Sequence, residues 1–211
     1  MTTRLPILAC LIILLMSSGC IIPSGFPDPA VPKIQTQDIK KTDINEKFKL
    51  VVDTQIDGES TWRGRSRATE NITKVLESIG ITVIETPSAS NEIKVAVNNV
   101  TKDSDVSDAV GKGVASGLTF GLVGSTVKDN LEMTVTISIG GKTIKRTGIK
   151  HALYTIIGNA TIPDGVQKTS IPEAYDKVVE QMLLKAFKEI QSSGELSKIQ
   201  RPPGTSLPPK A

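Results

Sequence analysis
Leu131, Met133, Val135, Ile137 and Ile139 alternate strictly with Glu132, Thr134, Thr136 and Ser138, the period-two pattern of a half-buried strand. Gly140-Gly141 follows as a two-residue hairpin turn, leading into a return strand from about Lys142 to Ile157 in which Gly148 marks a bulge. Shorter β-branched runs predict strands at Phe48 to Asp53, at Ile81 to Glu85 and around Ile93, Val95 and Val97. The period changes twice. Ala68, Ile72, Val75, Leu76 and Ile79 share one face of a helix that stops at Gly80. Ser170 and Glu173 form a capping box and Pro172 sits in the first turn of a second helix, whose stripe of Tyr175, Val178, Val179, Met182, Leu183, Ala186, Phe187 and Ile190 ends at Gly194. The order predicts one α+β domain over 47–194: a mixed or antiparallel sheet with two helices packed on one face.

The flanks lack such periods. Residues 20–46 hold Pro23, Pro27, Pro29 and Pro32 among polar positions and read as a flexible tether, with a reach of about 80 Å if fully extended. Residues 195–211, with Pro202-Pro203 and Pro208-Pro209, read as a disordered tail.

At the N-terminus Arg4 precedes an apolar run from Leu5 to Met16, which is closed by Ser17, Ser18, Gly19 and Cys20. That is a secretory signal layout, and the run is well short of the roughly 20 residues a membrane-crossing helix needs. Ser17-Ser18-Gly19-Cys20 resembles the lipobox of bacterial lipoproteins, although the family usually has Leu where Ser17 stands. The resemblance implies removal of residues 1–19, a diacylglyceryl group on the Cys20 thiol, and a chain held to a membrane by its N-terminal acyl chains. Ile21, rather than Asp, directly follows the cysteine, which by the same resemblance implies the outer membrane, with the domain facing the periplasm. Cys10 lies in the discarded run and Cys20 is the only other cysteine, so the mature domain has no disulfide, and acylation accounts for the remaining thiol.

Without Arg4 the mature chain has 24 basic against 22 acidic residues, a net charge of +2 and no footprint for nucleic acid. The seven aromatics are scattered, which argues against base stacking or a sugar platform. His151 is the sole histidine and no G-x-S-x-G elbow is present, so neither a histidine metal site nor a nucleophile and base pair can be assembled. A strand histidine with one hydrogen bond is the expected role. Asp103, Asp105 and Asp108 begin like a calcium loop, but Asp108 and Val114 stand where its glycine and bidentate glutamate belong. Arg63, Arg65 and Arg67 near the first helix are expected to form surface ion pairs with Glu59 and Glu70. No enzyme activity, cofactor or metal is predicted.

One segment has its own signature. Gly113, Gly117 and Gly121 form a GxxxGxxxG pattern inside fifteen uncharged residues, 113–127. It resembles the glycine zippers of some envelope lipoproteins, including surface-exclusion proteins, in which small residues allow close backbone contact. As a helix it would span about 22 Å, less than a bilayer core of ~30 Å. A connection folded over the domain's own sheet is the competing reading. The element order is also similar to that of small periplasmic lipoproteins that act as accessory subunits in envelope assembly, and 155–189 is similar to uncharacterised bacterial lipoproteins. Two functions follow as expectations: a non-enzymatic envelope interaction or assembly module that binds an envelope protein or itself, or a carrier or sensor of an apolar ligand under a glycine-rich lid.

Overall fold
The computed structural model of the chain describes residues 23–41, 46–84, 91–101 and 124–196. Seven strands form one mixed sheet: β1 (Ser24–Pro27), β2 (Lys47–Ile56), β3 (Glu59–Thr61), β4 (Thr82–Ile84), β5 (Glu92–Val100), β6 (Ser125–Ile139) and β7 (Lys142–Ile157). The spatial order is β1-β7-β6-β5-β2-β3, with β4 also beside β2. β2 runs parallel to β4 and β5, and every other pairing is antiparallel. The parallel β2 and β5 need a crossover, and α1 (Arg65–Ser78) supplies it. With α2 (Ile171–Ser193), this is the α+β architecture expected from the periodicity.

The alternation along β6 places Leu131, Met133, Val135 and Ile137 on the helix-facing side, level with Ile93, Val95 and Val97 of β5. Ile72 and Leu76 of α1 and Val178, Met182, Leu183, Phe187 and Ile190 of α2 close over them in one core. Both helices therefore lie on one face. Their ends are built differently. α2 opens with its capping box, Glu173 N–H donating to Ser170 Oγ at 3.4 Å and Ser170 N–H to Glu173 Oε2 at 3.2 Å, whereas α1 starts from Gly64 in a left-handed conformation with no side-chain cap. Gly148, at φ 70°, lies with Thr147 opposite the single Thr134, so the long strand carries its bulge there.

The N-terminal stretch departs from the tether reading. β1 pairs with β7, and Gly25 also exchanges backbone hydrogen bonds with Thr169 at 2.8 and 2.9 Å, so this strand is held on both sides. Beyond it the chain runs along α2. Gln181 accepts from Ile34 N–H at 2.6 Å and donates to Ile34 O at 3.0 Å, and Gln191 does the same with Lys40 at 3.1 and 2.6 Å. Each glutamine amide thus acts as a strand partner for one residue of the strap. Ten helical residues cover about 15 Å, and a 3-10 turn at Thr36–Asp38 shortens the strap to match before Ile39 enters the core. Residues 23–41 are a docked strap; four prolines removed the period that would have announced it.

Candidate functional site
Both helices begin at the same end of the sheet, and a cleft of about 360 Å³ opens between their first turns and the strands. Val97, Leu131 and Leu153 line it from the sheet, Arg63 and Arg67 from the start of α1, and Ile171 and Tyr175 from the start of α2. Two polar side chains stand among these apolar ones. Asn99 and Asp129 each lie two residues beyond Val97 and Leu131, one further step of the core-facing alternations of β5 and β6, so the strands aim them into the cleft. Half-burial pushes the Asp129 carboxyl up from its ordinary range, and a hydrogen bond from Asn99 only partly offsets this. Asn99 Oδ1 is buried and accepts no hydrogen bond among the described residues, which makes it an acceptor ready for a donor. Burial, with the nearby Asp176 charge, also pushes the Tyr175 hydroxyl up to about 12, so it is a neutral donor in the working pH range.

The arginines divide. Arg67 makes a bidentate pair with Asp176 of α2, at 2.9 Å through Nε and 2.6 Å through Nη2, and Asn71 donates to the Asp176 carbonyl at 2.8 Å. This joins the two helices at the cleft wall. Arg65 stands 3.7 Å from Asp53. Glu70 pairs with Lys74 instead, so the ion pairs foreseen with Glu59 and Glu70 are replaced by pairs between elements. Arg63 has no ionic partner among the described residues and reaches the cleft. Next to it Trp62, the sole tryptophan, is 79% exposed, and Ile56 is 39% exposed.

His151 lies away from the cleft, beneath the strap. Its Nδ1 accepts from Ala152 N–H at 2.8 Å, and burial lowers its pKa, so it stays neutral. In the cleft Thr54 donates to Thr61 O at 2.8 Å. The arrangement can bind, with acceptors inside and the Arg63 cation in its wall. Cys20, Gly113, Gly117 and Gly121, as well as Asp103, Asp105 and Asp108, lie outside the described residues. Among the described residues, no helix is long and apolar enough to cross a membrane.

In the sequence Asp129 precedes the apolar alternation of β6 and Asn99 follows that of β5, so each looks like a strand's solvent end. Counting the alternation one step further would have placed both on the core face. The Asp57-Gly58 dipeptide was another available signal: it makes the β2–β3 turn with φ 50° and 87° and so positions Trp62 and Arg63.

No protein-family model and no curated protein matches the chain. Among solved structures, one titled "Crystal structure of uncharacterized protein" is 12% identical and covers 75% of this chain and 94% of its own, with a TM-score of 0.27.

Proposed function
We propose that the chain is a non-enzymatic lipoprotein, anchored through Cys20 to the outer membrane and facing the periplasm, whose α+β domain binds another envelope component. The observation that carries the binding role is the pair Asn99 and Asp129. A buried amide oxygen with no hydrogen bond among the described residues, beside a carboxyl whose burial outweighs its hydrogen bond from Asn99, is costly to keep unless something pairs with it. Arg63, which lines the cleft, and the exposed Trp62 next to it in the chain are residue types that anchor protein interfaces, and they support a protein as the component bound. The apolar walls of Val97, Leu131, Leu153 and Ile171 favour a second reading, a carrier of an apolar ligand whose polar end reaches Asp129.

Extraction in mild detergent, sizing of the extract and mass spectrometry of what co-purifies separates the two. A discrete protein complex that is lost in Trp62→Ala supports the interaction module. A monomer with stoichiometric lipid that is lost in Asp129→Asn supports the carrier. A bare monomer in both variants and in the wild type contradicts binding at this cleft.

A further inference from the structure
The docked strap changes where a Cys20 anchor would hold the domain. Ser24, the first residue of β1, follows Cys20 by only four positions, a covalent reach of at most about 14 Å. The end of the sheet where β1 begins must therefore lie next to the lipid. That end is an arm of three strands. β1, β7 and β6 continue together past the last residues of β5, with Ser24 beside Ile156 and Ile156 beside Thr126.

The arm is sorted by charge along its length. Its outermost rows hold Ser125 and Ile157, then Ser24, Ile156 and Thr126, then Gly25, Thr155 and Val127, none of them charged. The chain leaving β7 through Gly158, Asn159 and Ala160 is uncharged too, and no formal charge occurs from His151, buried and neutral, until Asp164. The next row is Phe26, Tyr154 and Lys128. Phe26 and Tyr154 stack with centroids 5.1 Å apart, and Lys128 Nζ lies 5.7 Å from the Tyr154 ring centre. This row is two residues in from Ser24, about 7 Å along the strand. Uncharged tip first, then tyrosine and lysine, is the order in which a bilayer surface presents its own chemistry: tyrosine settles at the headgroup level, and lysine reaches for phosphates. A free tether could present any face of the domain, but a four-residue link to a docked strand fixes one.

Resting on the anchor reading above, we infer that the domain stands on the bilayer that carries its acyl chains, with the uncharged tip of the β1–β7–β6 arm against the lipid and Lys128 and Tyr154 at the headgroups. The β6–β7 turn at Gly140-Gly141 points away from the membrane.

The test uses full-length acylated protein purified from membranes and reconstituted into phosphatidylethanolamine and phosphatidylglycerol vesicles that contain a headgroup-region nitroxide lipid. Acylation occupies the only cysteine of the mature chain, so Asn159→Cys at the tip and Lys142→Cys at the far turn each take one fluorophore. Both positions are exposed. Among vesicle-floated protein, quenching is expected to be several-fold greater at position 159 than at 142, and a glycine-serine spacer between Ile22 and Pro23 should abolish the difference while flotation persists. Floated protein with equal or no quenching at the two positions overturns the orientation alone. A difference that survives the spacer overturns the role given to the short link. Protein that does not float contradicts the anchor reading, and the orientation with it.

Discussion
Asp129 concentrates the tension between stability and binding in one side chain. Its folded pKa is raised by burial, so the charged form is disfavoured in the native state relative to the unfolded one. By linkage, the penalty is fully present above the folded pKa, shrinks as pH falls through it, and is gone below the unfolded value of 3.8. Asp129→Asn, which keeps the shape and removes the charge, should therefore raise the melting temperature at neutral pH, with the gain vanishing in melts run near pH 3. Gly25 sets the opposite kind of limit. A Cβ there would stand 3.1 Å from Tyr154 O and 3.2 Å from the Ala174 Cβ, so a side chain would press β7 and α2 back from β1 by a few tenths of an ångström. Gly25→Val should lower stability by about 1 to 3 kcal/mol in denaturant titrations, the usual cost of overpacking.

Helix α2 holds the most of any element: it covers the sheet, receives the strap and supplies one wall of the cleft. Phe187 is fully buried in it, and Phe187→Ala should cost about 3 to 5 kcal/mol in denaturant unfolding, a large part of an ordinary domain's stability. On its other side the two glutamine clamps hold the strap independently of that core. Gln181→Ala combined with Gln191→Ala should leave the melting temperature of the domain nearly unchanged while exposing 28–41 to proteolysis; equal protection of that stretch would show that Ile39 and β1 suffice to hold it. The elements read from sequence were those with a sustained period. β6 and α2 have five and eight apolar positions in register, so their signals outweigh local noise. The strap could not be read that way. Phe26, Ile34 and Ile39 are isolated apolar residues in a proline-rich stretch, and the strap's backbone partners, Thr169, Gln181 and Gln191, lie more than a hundred residues away. The cleft was illegible for a related reason: it exists where two helix N-termini and two strand ends meet, and only Arg63 and Arg67 were visible as candidates beforehand.

At the scale of the whole molecule, the proposed anchor, the docked strap and the cleft lie along one path of the chain. The anchor reading predicts a domain outside the cytoplasm, and the short link between Cys20 and β1 turns that address into an orientation. The cleft, with Asp129 and Asn99 inside and Arg63 in its wall, is where that placement would serve binding. The anchor and the orientation both depend on the chemistry of a single thiol. The direct measurement is metabolic labelling with radioactive palmitate of cells that produce the wild-type chain or Cys20→Ala. Label on the wild-type protein, with an unlabelled variant that retains residues 1–19, is the predicted result; an unlabelled wild type, or label that persists on the variant, would contradict the account.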